Sequence, residues 1–457
     1  MQMNQLQIKD NQIYSNEEMS KVEELRKKVS DKTLEQLEKE GVFVFPNTIN
    51  DSEDIKKEQM ILQTVNSHTR TGNVMGFIGY KNERLTIGSR FSRGEKDFFI
   101  QYLLENVLEF PNVVEMNTDG NQENRLFNML IFLFPSYLKS ALRKGVYKTY
   151  NQEEYNDYNI KGAIDIARHI RQNIPFTGRI AYNQREFSFD NNMMELIRHT
   201  IEFINMKSFG KQLLSKVEEE VKTVIEVTSS YGSFSRKKVI EVNKKNPIHH
   251  AYYHEYRTLQ RLCIMILQNQ KHQIGIGSNQ IHGILFDGSW LWEEYINSLI
   301  SDKFYHPMNK SRKGAQQLFS TDTGKAGLIY PDFLSRDIKN SFVADAKYKP
   351  VENIGNKDYL QVLAYMFRFN AKSGFYLYPE RHTIQAKTLT LNEGSTYEKN
   401  VKSRKDIFVT KLGLFIPYGY STYETFASEM KKREIEFVSC LYSDLENKNA
   451  RFKKEEN

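Results

Sequence analysis

Two short apolar runs in the last third of the chain, each carrying an aspartate, constrain its fold more than any other feature. The first run is LIYPDF at residues 328–333, and the second is FVADAKYKP at residues 342–350. Their apolar residues and the short polar turn between them predict two neighbouring β-strands. Side chains two apart in a strand point to the same face, so Asp345 and Lys347 project together. Pairing of the two strands would also bring Asp332 alongside Asp345.

The helix predicted before these strands contributes a carboxylate. Residues 289–300 read SWLWEEYINSLI, and their apolar residues recur at helical spacing. On a helical wheel Glu293 borders the apolar face, while Glu294 lies further around towards solvent. Glu293 is therefore the better candidate for a third metal-binding carboxylate. Two solvated glutamates are the alternative.

A second helix is predicted after the strands, at residues 357–370, and a further strand follows at residues 374–378. Gln361 and Tyr365 are four residues apart in this helix, so they share one face. From that face they can reach a bound phosphate or the aspartates. The alternative is that both are polar residues at the margin of the core.

Strand-like and helical pieces alternate from residue 271 to residue 457 and predict an α/β domain with a mixed sheet flanked by helices. Residues 1–150 have a mixed α/β character and form a predicted N-terminal domain, while residues 151–270 read mostly as helices. The predicted fold class is therefore α/β, or α+β over the whole chain, in three segments.

Local patterns in the first two segments give more specific expectations. Residues 16–40 and 51–67 predict helices. A pair of strands is expected within residues 71–92, around a turn at Lys81–Asn82. The polar and basic segment 228–246 predicts a surface loop.

Composition excludes several other classes of protein. The chain has 457 residues and is 39% hydrophobic, which suits two or three domains with real cores. Cys263 and Cys440 are its two cysteines, so neither a disulfide framework nor a four-cysteine zinc site can form. The most apolar run, residues 129–134, is too short to cross a bilayer, and the N-terminus has no apolar signal segment. The chain is therefore expected to be soluble and cytoplasmic, without a membrane partner.

The formal net charge of +7 is compatible with a nucleic-acid partner without requiring one. A basic run in the last segment, with Lys310, Arg312 and Lys313, is a candidate contact for DNA phosphates. A merely solvated surface is the alternative for these side chains. The sequence contains no helix-turn-helix or zinc-finger pattern, so specific base recognition by this chain is not expected.

Two aspartates and a lysine at one end of a sheet suit the hydrolysis of a phosphodiester. Mg²⁺ prefers hard oxygen ligands, and Asp332 and Asp345 supply part of such a shell, in which Mn²⁺ is expected to substitute. The metal polarises the phosphodiester and activates the attacking water. Lys347 would orient or deprotonate that water and offset the added negative charge. Because D-x-K is a common pattern, a surface strand with a local salt bridge stays the alternative.

The order E…PD…D-A-K…Q-x-x-x-Y resembles the nuclease domain of McrC-like subunits of modification-dependent restriction systems, within the PD-(D/E)xK superfamily. Residues 145–173, 185–204 and 285–296 are similar to the central region of these subunits. Residues 40–49 and 70–92 resemble the LlaJI-type branch. The resemblance therefore covers most of the chain.

The resemblance implies a function for the whole chain. McrC-like subunits work with an McrB-like AAA+ partner that hydrolyses GTP, forms rings and supplies target recognition. The resemblance implies that the N-terminal region docks into the ring and stimulates hydrolysis. It also implies Mg²⁺-dependent cleavage of double-stranded DNA after translocation. Asp332, Asp345 and Lys347 match the catalytic motif, with Glu293 as the helix carboxylate.

No nucleotide site is expected in the chain itself. A phosphate-binding loop of the common kind requires G-x-x-x-x-G-K-[ST]. The nearest candidate, residues 323–325, is followed by Ala326 and has Phe319 where the first glycine belongs. The nucleotide that drives the system, GTP or ATP, is therefore expected to bind the partner.

Two other functions stay open at this point. One is a non-catalytic activator of an AAA+ protein, with a decayed nuclease fold, although the intact Asp332, Asp345 and Lys347 argue against it. The other is a stand-alone repair nuclease of the RecB-like group, which shares the Q-x-x-x-Y helix. The long N-terminal region favours a role in an assembly instead.

Overall fold

The computed structural model describes most of the chain, and its described residues form a mixed α/β protein as predicted. They are residues 4–40, 42–45, 59–94, 97–107, 122–268, 281–307, 315–322, 324–337, 341–382, 386–395, 397 and 399–455.

The strands are β1 (Asn4–Lys9), β2 (Ile13–Ser15), β3 (Val42–Phe45), β4 (Leu62–Val65), β5 (His68–Thr71), β6 (Val74–Tyr80), β7 (Glu83–Gly88), β8 (Thr149–Asp157), β9 (Ala163–Ile164), β10 (Ile180–Ser188), β11 (His282–Asp287), β12 (Phe304–Tyr305), β13 (Gln316–Thr321), β14 (Gly324–Ile329), β15 (Phe333–Ser335), β16 (Phe342–Ala346), β17 (Ser373–Glu380), β18 (Lys387–Glu393) and β19 (Lys402–Phe415).

The α-helices are α1 (Glu23–Val29), α2 (Leu34–Glu40), α3 (Phe98–Val107), α4 (Gln122–Leu142), α5 (Ile166–Gln172), α6 (Asn192–Asn205), α7 (Gly210–Leu214), α8 (Glu218–Val227), α9 (Arg236–Lys245), α10 (His254–Gln268), α11 (Gly288–Ile300), α12 (Asn356–Arg368) and α13 (Tyr423–Glu455). Short 3₁₀ helices lie at Ser20–Val22, Ser215–Val217, Ala251–Tyr253 and Val351–Asn353. Within the described residues, no helix is long and apolar enough to cross a membrane.

The chain forms two compact units. The first contains residues 1–114 together with residues 274–457, and the second contains residues 115–273. Most of the predicted N-terminal segment thus shares a unit with the predicted nuclease segment. Its last part, from residue 115 to residue 150, belongs to the second unit.

A five-stranded sheet in the order β1-β7-β6-β11-β3 forms one part of the first unit. β6 is buried along its whole length, as expected for a central strand. β6 and β7 pair around the predicted turn at Lys81–Asn82, which confirms that hairpin. A side chain at Gly76 would lie 2.1 Å from the carbonyl oxygen of Ile284, so the close pairing of β6 with β11 requires glycine there.

A six-stranded sheet in the order β12-β15-β16-β17-β19-β18 also lies in the first unit. β16, β17 and β19 run parallel, and the outer pairs are antiparallel. α12 connects β16 to β17, and its Val362 and Met366 share a core with Val343 of β16. α12 therefore covers the face of β16 to which Val343 points. The mixed sheet flanked by helices that the sequence predicts is confirmed.

Helix α11 begins directly after β11 and is anchored to the second sheet. Asp287 caps its first turn, because the Asp287 carboxylate accepts a hydrogen bond of 2.8 Å from the main-chain N–H of Trp290. Trp292 is fully buried, and its Nε1 donates to the main-chain oxygen of Leu377 in β17 at 3.0 Å. The amphipathic helix predicted at residues 289–300 is therefore confirmed, and this hydrogen bond fixes it against the sheet.

Two helix predictions for the first unit are wrong in part. Residues 16–40 form a 3₁₀ turn, α1 and α2 instead of one helix, because Asp31 has a φ of 62°, which an α-helix does not accommodate. Residues 62–65 form β4, which pairs with β5. The sheet partner of β4 determines its conformation, and a local pattern does not show that partner. Residues 51–58 lie outside the described residues.

The second unit contains helices α4 to α10 and a three-stranded sheet in the order β8-β10-β9. The expectation of a mostly helical segment was incomplete, because β8 and β10 pair over nine residues. The loop predicted at 228–246 is wrong in its second half, where α9 forms. Val239, Ile240 and Asn243 recur there at helical spacing and are buried.

Large apolar side chains are exposed on the segment that contains this three-stranded sheet and α5. Among the described residues, ten of the exposed large apolar side chains lie between residues 150 and 189. They are Tyr150, Tyr158, Ile160, Ile164, Ile166, Ile170, Ile174, Phe176, Phe187 and Phe189.

Candidate active site

Asp345 and Lys347 lie together at the carboxyl end of β16. They have the same strand parity as Val343, so they point to the face that α12 covers. The Lys347 Nζ lies 2.6 Å from Oδ2 of Asp345. The Asp345 side chain is 1% exposed and the Lys347 side chain is 18% exposed. This is a buried ion pair, and the alternative of a surface strand with a local salt bridge does not describe it.

Asp332 lies beside this pair because β15 and β16 form the antiparallel pairing that the sequence suggested. Phe333 is opposite Ala344 in that pairing. Oδ2 of Asp332 accepts a hydrogen bond of 2.8 Å from the main-chain N–H of Ala346. The first apolar run is not one strand, however, because its residues up to 329 belong to β14, which pairs with β13. Asp332 therefore lies in the link between β14 and β15.

α12 connects the lysine to the segment that carries Asp332. Lys347 Nζ donates to Oε1 of Gln361 at 3.2 Å, and Nε2 of Gln361 donates to the Tyr365 hydroxyl at 2.6 Å. The Tyr365 hydroxyl donates to the main-chain oxygen of Tyr330 at 3.0 Å. Gln361 and Tyr365 share a face, as predicted. Their direct contacts in this structure are with the lysine and the main chain.

The charge of Lys347 is set by its surroundings. Burial acts to lower the pKa of this ammonium, but the carboxylates of Asp345 and Asp332 outweigh burial, and the pKa lies above its ordinary value. Lys347 is therefore a cation throughout the physiological range. In this arrangement it acts as a hydrogen-bond donor and a positive charge.

A second ion pair, which the sequence interpretation missed, lies at the start of α12. Lys349 Nζ donates to both carboxylate oxygens of Asp358, at 2.8 and 2.7 Å, and the main-chain N–H of Gly355 donates to Oδ2 at 2.9 Å. The Asp358 carboxylate also lies 4.0 Å from Lys347 Nζ. Asp358 thus fixes the first turn of α12 next to the catalytic candidates. An aspartate in the first turn of a helix was the available signal.

Glu293 and Glu294 both approach His306, another residue that the sequence interpretation missed. Nδ1 of His306 donates to the main-chain oxygen of Asp332 at 2.7 Å, since a carbonyl oxygen only accepts. This leaves Nε2 of His306 at 3.6 Å from Oε1 of Glu293 and 4.0 Å from Oε1 of Glu294. Glu293 is 15% exposed and Glu294 22% exposed, which agrees with the helical-wheel order. No local pattern around His306 pointed to this contact.

A comparison with known protein families assigns the chain to one of them. The McrBC 5-methylcytosine restriction system component family matches residues 69–379, which is more than half of the 457 residues. The chain belongs to this McrBC family. The matched range includes Glu293, Asp332, Asp345 and Lys347.

Two solved structures resemble this McrBC-family chain at 13% identity. One is a refined half-complex from a tetradecameric assembly of Thermococcus gammatolerans McrB AAA+ hexamers with bound McrC, with a TM-score of 0.41. The match covers 94% of this chain and 99% of the matched chain. The other is the cryo-EM structure of the Thermococcus gammatolerans McrBC complex, with a TM-score of 0.29. That match covers 65% of this chain and 87% of the matched chain. No curated protein matches this chain.

The donor set of this McrBC-family site suits a hard divalent cation. Asp345 and Asp332 supply carboxylate oxygens on neighbouring elements, and oxygen is the ligand that Mg²⁺ and Mn²⁺ prefer. One cation, the Lys347 ammonium, lies 2.6 Å from the Asp345 carboxylate in this structure. The Tyr376 hydroxyl is buried without a hydrogen-bond partner in the described residues, and Tyr376 is opposite Asp345 in the sheet. A buried hydroxyl of this kind fits a site that receives a polar group.

Glu293 does not complete a three-carboxylate set in this arrangement. Within the described residues, no three side chains of His, Cys, Asp or Glu are placed to hold one metal ion together. The Glu293 carboxylate approaches the His306 imidazole instead, with 3.6 Å between Oε1 and Nε2. The basic run of Lys310, Arg312 and Lys313 lies outside the described residues.

Proposed function

We propose that this McrBC-family chain is the DNA endonuclease subunit of a nucleotide-dependent restriction system and hydrolyses phosphodiester bonds with Mg²⁺. The observation that carries the proposal is the buried Asp345–Lys347 pair with Asp332 held beside it. The order of Glu293, Asp332, Asp345 and Lys347 along the chain supports membership of the PD-(D/E)xK superfamily. The resemblance of residues 40–49 and 70–92 supports the LlaJI-type branch. A restriction endonuclease acts on DNA inside the cell, so we place it in the cytoplasm.

Asp332 and Asp345 are the residues that would hold the metal, with Mg²⁺ or Mn²⁺ as the expected ion. When bound, the ion supplies Lewis-acid polarisation of the phosphodiester and makes water a better nucleophile. Main-chain oxygens, water and the DNA phosphate would complete its shell, because Mg²⁺ usually takes only one or two carboxylates from a protein.

Lys347 supplies a preorganised positive charge. Its ammonium is held by Asp345 and Gln361, so it needs little reorganisation to donate to a phosphate oxygen or to orient a water. We therefore propose that its role is to orient the attacking water or a phosphate oxygen.

The partner we propose is an McrB-like AAA+ GTPase ring, which would bind the nucleotide, move along double-stranded DNA and be stimulated by this chain. Membership of the McrBC restriction system component family supports such a partner. The exposed apolar side chains between residues 150 and 189 support a contact surface for such a ring in the second unit. The sequence resemblance suggested docking through residues 1–150, and that prediction stays untested.

The test of this function is a reconstituted cleavage reaction. The full chain is combined with its cognate AAA+ partner, GTP or ATP, Mg²⁺ and double-stranded DNA. We expect double-strand cleavage only when all components are present, and omission of the metal, the nucleotide or the partner should abolish it.

Two outcomes would contradict the proposal and identify its alternatives. A chain that stimulates the nucleotide hydrolysis of its partner but never nicks DNA with Mg²⁺ or Mn²⁺ would be a non-catalytic activator. A chain that cleaves bare DNA ends without any partner would be a stand-alone nuclease.

A further inference from the structure

Arg90 is a buried arginine in the N-terminal part of the first unit, just after β7, and it is 4% exposed. Its Nε lies 3.2 Å from Oδ2 of Asp10, and its main-chain N–H donates to Oδ1 of the same carboxylate at 2.6 Å. Its Nη2 donates to Oδ1 of Asn73 and, at 2.9 Å, to the main-chain oxygen of Tyr348. The guanidinium therefore joins two N-terminal residues to the residue that follows Lys347.

Tyr348 is held by the N-terminal part through its side chain as well. Its ring centroid lies 4.7 Å from the Arg90 guanidinium, within the range of a cation–π contact. Its hydroxyl is hydrogen-bonded to Oγ of Ser89 at 2.6 Å and lies 3.2 Å from the sulfur of Met75. The main chain and the side chain of Tyr348 are thus both fixed, directly after Lys347.

Asn73 extends this connection to α11. Its main-chain oxygen accepts a hydrogen bond of 3.0 Å from the N–H of Gly288, and its Nδ2 donates to Oγ of Ser289 at 2.7 Å. Arg90 binds the side-chain oxygen of the same Asn73. The start of the helix that carries Glu293 and the main chain that follows Lys347 are therefore held by adjacent N-terminal groups.

Two properties of this arrangement point to a positioning role for Arg90 beside any role in stability. A buried charge pair contributes little to stability compared with apolar residues of similar volume, because both ions lose their hydration. The planar fork of arginine, in contrast, serves several acceptors at once with fixed geometry, which a lysine does not reproduce. Here one guanidinium serves Asp10, Asn73 and the Tyr348 carbonyl together.

We propose that Arg90 is a positioning residue for DNA cleavage: it holds the main chain after Lys347 and thereby makes the geometry of the site depend on the N-terminal sheet. This inference rests on the proposed endonuclease function. The Lys347 ammonium must meet Asp345 at 2.6 Å and Gln361 at 3.2 Å, so a small shift of its main chain disturbs both contacts. A displacement of about 1 Å in a catalytic group can cost about 100-fold in rate.

The test compares Arg90→Lys with Arg26→Lys in the full chain. Arg26 donates to Asn16 in the same N-terminal part and is a matched control for the substitution. In the reconstituted cleavage reaction, Arg90→Lys should lower the maximal rate by about 10-fold to 100-fold, as for the loss of an outer-shell partner of a metal site. It should also raise the Mg²⁺ concentration that gives half-maximal rate. Arg26→Lys should match wild type in both.

A second readout needs no cleavage at all. The N–H of Lys347 donates to the main-chain oxygen of Leu377, and the N–H of Lys349 donates to that of Lys347, both at 2.9 Å. Hydrogen exchange at these two amides should be faster in Arg90→Lys than in wild type, while cooperative unfolding is kept. If Arg90→Lys does not fold, Asp10→Asn keeps the arginine, removes its ion pair and should shift both readouts in the same direction by less.

The endonuclease function and the positioning role of Arg90 can be contradicted independently of each other. If the wild-type complex never cleaves DNA, the endonuclease function is wrong, and the exchange experiment still decides whether Arg90 holds this strand end. If Arg90→Lys keeps wild-type exchange at Lys347 and Lys349, or a wild-type rate and Mg²⁺ dependence, the positioning role is wrong.

Discussion

A carboxylate as buried as that of Asp345 persists in a folded protein when cations or donors compensate for its lost hydration. Lys347 provides that compensation here, at 2.6 Å. Such a pair is weak evidence for stability, because desolvation of the two ions offsets their attraction. A divalent metal and the ammonium would approach the same carboxylate. We therefore interpret the pair as part of a site that would bind a cation, rather than as a structural support.

Asp358 gives a prediction at the same scale. Asp358→Ala removes a carboxylate that binds Lys349 twice and caps the first turn of α12. We expect a loss of about 1–3 kcal/mol in the free energy of unfolding, as for hydrogen bonds to a charged group. Urea unfolding measures it. Asp406→Ala is the control, because Asp406 binds Arg404 in a similar way but is 40% exposed and should cost only about 0–1 kcal/mol.

The difference in the free energy of unfolding between wild type and Asp358→Ala should depend on pH, and the direction of that dependence is defined. Burial acts to raise the pKa of Asp358, but the Lys349 ammonium and the Gly355 N–H lower it, and the net direction is below 3.8. A lowered pKa contributes stability that is present above the unfolded value and lost as the pH falls through the folded value. The difference between wild type and Asp358→Ala should therefore be constant at neutral pH and shrink below pH 3.8. A difference that grows in acid would contradict this assignment.

Individual elements differ in how well a local pattern predicts them. The strand with Asp345, the helix with Gln361 and the strand after it were predicted because the apolar residues of each follow the period of that element, and these residues share one core. β4 was not predicted, because its sheet partner decides its conformation. α9 was missed because its polar and basic composition outweighed the helical spacing of its few buried residues.

The same limit applies to the site. Asp345 and Lys347 are close in sequence, so strand parity was enough to place them together. His306 reaches Asp332 across 26 residues, and Arg90 reaches Tyr348 across 258 residues. Contacts over such separations depend on the complete fold, and no spacing within the sequence encodes them.

The exposed apolar side chains on and after α5 in the second unit carry a prediction of their own. Ile166 and Phe176 are 69% and 64% exposed. If this surface contacts the AAA+ ring, the double variant Ile166→Ser/Phe176→Ser should weaken binding to the partner by about 10-fold or more, as for anchors at an interface centre. Binding is measured by titration of labelled partner. Ile225→Ser, at a side chain 41% exposed on α8, is the control. Equal affinities of the double variant and wild type would exclude this surface.

At the scale of the whole molecule, one compact unit contains both the N-terminal sheet and the sheet with the site. The McrBC family match extends over parts of both units, from residue 69 to residue 379. In the function proposed above, the chain would be a cleaving subunit whose site is supported by its own N-terminal part and whose energy source lies in a partner. Such a site can be inert when the chain is studied alone.

The most direct test of this account is the cleavage rate of the reconstituted complex with Asp345→Asn. The substitution keeps the size of the side chain and removes the charge that would hold the metal and Lys347. We expect the rate to fall by about 100-fold to 1,000-fold, because a metal ion contributes several kcal/mol to such a transition state. Asp406→Asn should cleave as wild type does, and both variants should still stimulate the partner. If the Asp345→Asn complex cuts DNA at the wild-type rate, Asp345 is not part of the cleavage site and the account is wrong.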